Sequence, residues 1–145
     1  MEKNIDYSKW ELLGMPNDIF EINRRRYIEN LKKHMENLKQ NSIIVLEGGK
    51  EIPYYDTDVN IYHFFQESNF FYLTGVREPG FFAILDIKSE QLDLFFEKVP
   101  EKSKIWMSVP TKEEIAKKYN LDESNVHYTE EMNQFIKDRN TEAIY

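Results

Sequence analysis

The first third of the chain carries apolar residues at helical spacing. The positions that recur at intervals of three, four and three residues, and so share one helical face, are Ile28, Leu31, Met35 and Leu38. Asn17 and Asp18 stand before this run, and either side chain can accept hydrogen bonds from the first free backbone N–H groups of a helix. We predict a helix from residue 17 to about Gln40, after an irregular lead-in over residues 1–16. Arg24–Arg26 point in three directions around this helix and are expected to be solvated or locally paired.

Short runs rich in β-branched and aromatic residues predict strands in the middle of the chain. The runs are Ser42–Glu47, Phe70–Leu73, Phe81–Ile87, Gln91–Glu97 and Val126–Tyr128. The connection Lys88–Glu90 is too short for a crossover, so the runs on either side of it predict an antiparallel hairpin. We expect Phe70, Tyr72 and Phe82 to alternate with their chain neighbours across the sheet, with one row packed on Leu31, Met35 and Leu38 of the first helix.

Two further helices are predicted in the last third. Thr111 and Glu114 have the spacing of a capping box, which predicts a helix to about Tyr119. The segment Thr129–Asp138 is amphipathic and predicts the last helix. Strands with helices before and after them in the sequence predict an α/β fold, a three-layer mixed β-sheet with flanking helices, over a single domain of residues 17–145.

Composition and charge exclude several classes of function. The chain has 145 residues, 41% of them hydrophobic, which suits one domain with a real core. Its formal charge of −7 repels phosphate backbones, so no nucleic-acid partner is expected. It has no cysteine, which excludes disulfides and thiolate chemistry. No apolar run approaches the roughly 18 residues of a membrane span, and no apolar leader is visible, so we expect no membrane partner and a cytoplasmic location.

One glycine-rich turn invites a phosphate-binding interpretation. Gly48-Gly49-Lys50 follows a predicted strand, as a phosphate loop does. The phosphate-loop motif requires Ser or Thr after its lysine, whereas Glu51 follows here. We therefore expect an ordinary turn.

Other residue patterns point only weakly to chemistry. Asp56 and Asp58 are two close carboxylates of the kind found in some metal sites, but the loop offers no third clustered ligand. His34, His63 and His127 lie far apart and match no zinc-binding spacing, so only folding could bring them together. No serine-nucleophile motif is present. The residues alone predict no catalytic residue and no metal ligand in this chain.

A longer motif does indicate a family. The segment Phe64–Gly80 resembles the F-R-Q-[DE]-S-x-F-x-Y-L-T-G-x-x-E-P signature of the N-terminal domain of Xaa-Pro peptidases, the group of aminopeptidase P and prolidase. Ile43–Gly49 and Thr57-Asp58 stand upstream, where the family has a strand and a T-D pair. Lys104–Met107 before Thr111–Glu114 is similar to prolidase in particular. The resemblance runs from about residue 20 to residue 135 and departs at one signature position, where Phe65 replaces arginine.

This resemblance implies a fold and a parent activity. The fold would be that of the creatinase and prolidase N-terminal domain, with its ribonuclease H-like motif. The parent would be a homodimeric Xaa-Pro dipeptidase that hydrolyses the bond before proline in dipeptides or short peptides. Its two divalent metals, by resemblance manganese, and its catalytic residues would all lie in a C-terminal pita-bread domain that is absent from this chain. The segment by itself is therefore expected to be inactive and to hold no cofactor.

Two roles for the segment itself remain open. The resemblance implies that it shapes the substrate pocket and supports dimerisation, and that Trp106 reaches the substrate pocket of the partner subunit. A tryptophan that folds back on its own domain is the plainer alternative. The alternative is a function of a different class: the domain would be a peptidase-like module that binds other proteins without cleaving them.

Overall fold

The fold is built on one mixed β-sheet. The computed structural model describes residues 18–55, 57, 63–99 and 110–145 of the chain. In order along the chain, the helices and strands are α1 Ile19–His34, β1 Ser42–Glu47, α2 Ser68–Thr74, β2 Phe82–Asp86, β3 Leu92–Phe96, α3 Lys112–Tyr119, β4 Val126–Tyr128, α4 Met132–Asp138 and β5 Ala143–Ile144. None of the helices in these residues combines the length and the apolar composition that a membrane crossing requires.

The sheet has five strands in the order β4-β3-β2-β1-β5. Strands β1, β2 and β3 pair antiparallel, with Val45 opposite Ile84 and Ala83 opposite Leu94. Strand β4 joins β3 in parallel, and β5 joins β1 in parallel. The predicted hairpin is thereby confirmed, as is the three-layer mixed sheet, because helices cover both faces.

Alternation along the strands divides the core between the two faces of the sheet. One face, covered by α1, α2 and α3, carries buried side chains that include Ile44, Ala83, Leu85, Leu94, Phe96 and Val126. The opposite face, covered by α4, carries the buried side chains Ile43, Ile84 and Phe95. Met132, Phe135 and Ile136 of α4 pack there, as the amphipathic pattern predicts, after a short 3-10 turn at Thr129–Glu131.

The first helix is shorter than predicted. It ends at His34, because Met35 adopts an extended conformation, with φ −106° and ψ 98°. Met35 is therefore 38% exposed, whereas Leu38 still packs on the cluster around Ile28 from a turn rather than a helix. Of the two candidate capping residues, Asp18 occupies the N-cap position but its side chain makes no capping hydrogen bond. Asn17 and the lead-in lie outside the described residues.

The predicted strand at Phe70–Leu73 is a helix. The segment belongs to α2, so Phe70 and Tyr72 do not alternate across a sheet: Phe70 is 1% exposed and Tyr72 is 44% exposed. Phe82 lies in β2 and packs on the α4 face rather than against α1. Capping at both ends of the short helix outweighs the strand preference of its aromatic residues.

Arg24 is not a solvated arginine. Its Nη1 donates to the backbone oxygen of Leu73 at 3.0 Å, and Asn23 Nδ2 donates to that of Tyr72 at 3.0 Å. These bonds tie α1 to the last turn of α2, and burial lowers the pKa of Arg24. Arg25, in contrast, is locally paired as predicted, with Glu21 at 3.0 Å.

Candidate functional site

The signature segment, residues 64–80, carries polar side chains that cap α2 and bind the end of β1 and α3. It begins with a capped helix. Glu67 precedes α2, and its two carboxylate oxygens accept from Asn69 N at 3.0 Å and from Phe70 N at 2.7 Å. These backbone hydrogen bonds lower the pKa of Glu67, because they stabilise the charged form. The acidic residue of the signature therefore caps the N-terminus of α2.

The signature glycine ends the same helix. Gly75 caps α2 in the left-handed conformation, with φ +76°. A Cβ atom at this position would lie 2.6 Å from the ring of Phe20 on α1. Both the backbone conformation and the close approach of α1 thus require glycine here.

Gln66 joins the signature to the end of β1. Its Oε1 accepts from Gly49 N at 2.6 Å, and its Nε2 donates to the backbone oxygen of Glu78 at 2.8 Å. A Cβ on Gly48 would lie 2.9 Å from the backbone oxygen of Phe81. The two glycines therefore allow close packing against the signature. Because Gly49 N already donates to Gln66, it is not available to bind a phosphate, and the segment is an ordinary turn as predicted.

Glu78 joins the signature to α3. Its carboxylate accepts from Lys118 Nζ and from the hydroxyl of Tyr119. Burial favours the neutral acid, but the hydrogen bonds from both partners and the charge of Lys118 outweigh it, so the pKa of Glu78 is lowered. Burial, and after it the hydrogen bond to Glu78, raises the pKa of Tyr119 well above its ordinary value. No local sequence signal predicts these contacts, because Lys118 and Tyr119 lie 40 and 41 residues from Glu78.

A cavity of about 610 Å³ lies between the Glu78 turn and α3. Buried Phe81, Phe96 and Ile115 give it an apolar wall, and Glu78 and Lys118 lie at the same opening. Its lining also includes Val99 and Pro110, the described residues on either side of 100–109. The signature therefore borders the place where the chain leaves β3 and returns to α3.

The structure describes only some of the candidate site residues. Trp106, Asp56 and Asp58 lie outside the described residues. Within the part of the chain that is described, no group of three or more His, Asp or Glu side chains could hold a metal ion, and His34, His63 and His127 form no such group. Phe65, at the signature's arginine position, is 86% exposed and presents an apolar ring to solvent.

A buried ionic network on the α4 face was not predicted from the sequence. Asp93, 1% exposed, accepts from Arg139 Nη2 at 2.8 Å and from Asn125 Nδ2 at 3.1 Å, and lies 3.2 Å from His127 Nε2. Arg139 also donates to Asp86 at 2.9 Å. A carboxylate in the middle of an apolar strand was the available signal. Its partners lie on other elements, so the network ties α4, β2, β3 and β4 together.

Replacing Glu67 with glutamine is expected to destabilise the domain in a pH-dependent way. The cap is worth about 1 kcal/mol, or roughly 4 °C in Tm, at pH 7. Because the pKa of Glu67 is lowered on folding, its contribution is present above the unfolded pKa and is lost as the pH falls through the folded pKa. Thermal melts at pH 7 and pH 3 test this. Glu29→Gln, an exposed carboxylate within α1, is the control, and an equal loss at both pH values would contradict the prediction.

Comparison with known proteins decides the family. The family model described as "Aminopeptidase P, N-terminal domain" matches residues 27–145. This chain belongs to that family. The chain is 36% identical over 123 residues to the Xaa-Pro dipeptidase of Homo sapiens, covering 84% of this chain and 24% of that protein. It is 34% identical over 135 residues to the Xaa-Pro dipeptidase of Mus musculus, covering 92% and 27%.

Solved structures of the family share the fold. Aminopeptidase P from Escherichia coli superposes with a TM-score of 0.67 at 19% identity, over 90% of this chain and 29% of that one. Proline aminopeptidase P II from Yersinia pestis gives a TM-score of 0.67 at 21% identity, over 90% and 29%. The recognised signature and the sheet with its flanking helices are thus those of an aminopeptidase P N-terminal domain. The chain spans about a quarter of the length of the curated relatives it matches.

Proposed function

We propose that this domain is the non-catalytic N-terminal part of a metal-dependent Xaa-Pro dipeptidase, which hydrolyses the peptide bond before proline. The observation that carries the proposal is the 36% identity to a human Xaa-Pro dipeptidase over 84% of the chain. That match spans the signature segment, residues 64–80, whose polar side chains form hydrogen bonds that connect it to β1 and α3. Dipeptidase rather than aminopeptidase activity is proposed because the chain matches the human and mouse Xaa-Pro dipeptidases over 84% and 92% of its length, whereas it matches a probable Xaa-Pro aminopeptidase of Verticillium alfalfae over 64%.

In this proposal the metal ions are bound outside this domain, in the remainder of the full-length enzyme. The described residues offer no group of ligands for a metal, so they do not fit a metal centre. By family resemblance, two divalent ions, manganese, would be held by the catalytic domain of the parent. This domain would contribute to a homodimer, working in the cytoplasm, and would shape the pocket that admits proline-containing dipeptides.

Trp106 is the residue proposed to act on the substrate. An aromatic face suits the apolar ring of proline, and placing it in the partner's pocket would narrow that pocket around small peptides. The cavity beside Val99 and Pro110 shows that the signature and α3 border the described ends of the segment that carries Trp106. This supports a role of the domain near the substrate.

The experiment compares the full-length protein with residues 1–145. After chelation and addition of Mn²⁺, the full-length protein should hydrolyse Gly-Pro, and the fragment should not. Trp106→Ala in the full-length protein should lower kcat/KM by about tenfold with an unchanged Tm. Trp10→Ala, the other tryptophan and outside the family match, is the matched control.

Three results would contradict these proposals. Manganese-dependent turnover by the fragment would place catalytic groups in this domain. An unchanged kcat/KM in Trp106→Ala would remove the pocket role of that residue. A full-length protein that binds peptides but cleaves none would favour an interaction module without catalysis.

A further inference from the structure

A smaller and more polar cleft, of about 280 Å³, lies where α1, the turn between β2 and β3, and the connection from α3 to β4 meet. Of its described lining residues, only Leu92 and Leu121 are apolar, and the others carry charged or hydrogen-bonding side chains. Pockets for drug-sized ligands usually enclose about 300–1,000 Å³ and have mainly apolar walls. The size and lining of this cleft therefore suit a smaller, polar molecule.

The loops that line this cleft are held in place by hydrogen bonds of their own. In the turn between β2 and β3, Asp86 Oδ1 accepts from Lys88 N at 2.9 Å and from Ser89 N at 2.8 Å. In the connection from α3 to β4, Asn125 N donates to the backbone oxygen of Asp122 at 2.9 Å. Because these walls are already ordered, a ligand would lose little affinity to the cost of ordering them.

Two of the carboxylates that line the cleft already have cationic partners. Glu21 lies 3.0 Å from Arg25 Nη2. Glu90 lies 3.7 Å from Arg25 Nε and 3.8 Å from Lys32 Nζ. The charges of Arg25, Glu21 and Glu90 are therefore paired within the protein, and a ligand is not needed to balance them.

Two opposite charges on different walls of the cleft have no such partner. Arg24 donates to the backbone oxygen of Leu73, but within the described part of the chain it forms no ion pair and its buried Nε has no hydrogen-bond partner. Asp122 precedes the 3-10 turn Glu123–Asn125, yet its side chain makes no capping hydrogen bond and no ion pair with any described residue. A buried donor without a partner is costly, so a ligand that supplies a carboxylate to Arg24 would be stabilised.

We propose that this cleft binds a free α-amino acid, with the carboxylate of the ligand on the guanidinium of Arg24 and its ammonium group on the carboxylate of Asp122. A zwitterion supplies both missing partners at once, whereas a simple anion or cation supplies only one of them. Because the lining is mainly polar, recognition would depend on the main-chain groups of the amino acid rather than on a large side chain. The inference goes beyond the proposed function and does not rest on it, since it requires no catalysis.

The test is an NMR titration of the 145-residue chain with glycine, acetate and methylammonium at constant ionic strength. Glycine should bind saturably and shift the amide signals of Ser89 and Asn120, which line the cleft. Acetate and methylammonium should each bind at least about tenfold more weakly, because each lacks one of the two charge-assisted contacts. Proline, which is also a zwitterion, should bind in the same cleft.

Two variants separate the two ends of the ligand. Asp122→Asn should weaken glycine binding by about tenfold and leave acetate binding unchanged, because only the ammonium contact is lost. Arg24→Gln should weaken the binding of both ligands. Glu123→Gln, which removes an exposed carboxylate next to Asp122, and Arg26→Gln, which removes an exposed charge on α1, are the matched controls and should change neither affinity.

Four results would overturn the proposal. These are the absence of saturable glycine binding, acetate binding as tight as that of glycine, an unchanged glycine affinity in Asp122→Asn, and an equal loss in Asp122→Asn and Glu123→Gln. Tm values confirm that each variant is folded, and Asp122→Asn removes no internal contact of the described structure. None of these results depends on peptide hydrolysis, so each leaves the proposed function to its own test.

Discussion

Replacing Phe70 with alanine is expected to lower the free energy of unfolding by about 3–5 kcal/mol. Phe70 is 1% exposed and lies in the cluster formed with Phe81, Ala83 and Leu94. Its ring approaches so closely that a Cβ on Gly48 would lie 3.1 Å away. Truncation removes the transfer energy of the ring and leaves a cavity that these packed neighbours cannot fill. A domain of this size has only about 5–15 kcal/mol of stability, so Tm should fall by roughly 10 °C.

Tyr72 provides the matched control on the same helix. It is 44% exposed, and its bond to Asn23 uses only the backbone oxygen, so Tyr72→Ala should cost less than about 1 kcal/mol. Urea titration of both variants measures the difference. Equal losses would contradict the helical placement of α2, because a strand would place both side chains on one face.

Removing the charge of Arg139 is expected to have the second largest effect. Arg139→Met should destabilise the domain by about 3 kcal/mol, because it leaves the buried carboxylate of Asp93 without its cationic partner. Arg139 also binds Asp86 and lies over the ring of Phe135, so its loss weakens the packing of α4 on the sheet. Denaturant titration at pH 7 measures the change.

Two further variants separate charge from packing. Lys137→Met, on the exposed side of α4, should be within about 0.5 kcal/mol of the unmodified protein. Asp93→Asn combined with Arg139→Met also removes the charge of Asp93 and should be more stable than Arg139→Met alone, since the most deeply buried carboxylate is then no longer an unpaired charge. If Arg139→Met behaved like Lys137→Met, the network would not hold α4 in place.

Elements defined by local chemistry were predicted well from the sequence. Strand β1 has the predicted bounds Ser42–Glu47, the hairpin of β2 and β3 forms as expected, and Thr111 caps α3 with Glu114. In each case the determining groups are neighbours in the chain: a β-branched run, a short connection or a capping box. The signature segment identified the family for the same reason, because it is contiguous.

Failures occurred where tertiary contacts outweigh local preference. The aromatic run of α2 has strand character, yet Glu67 and Gly75 cap it as a helix and Asn23 and Arg24 bind its last carbonyl groups. The first helix stops at His34, and Leu38 reaches the core from a turn instead. Neither outcome follows from hydrophobic periodicity, since the caps of α2 are single residues beside the apolar run and the bonds from Asn23 and Arg24 come from a distant segment.

The sequence by itself determined the α/β class, the strand hairpin, the capped α3 and membership of the peptidase family, because each rests on residues adjacent in the chain. Only the tertiary structure decided that Glu78 binds Lys118 and Tyr119, that Gln66 links the signature to β1, and that Arg139 neutralises a buried Asp93. These pairs are separated by 17 to 46 residues. Their contribution arises when folding removes polar or charged groups from water and supplies a partner in the same step, which no local pattern records.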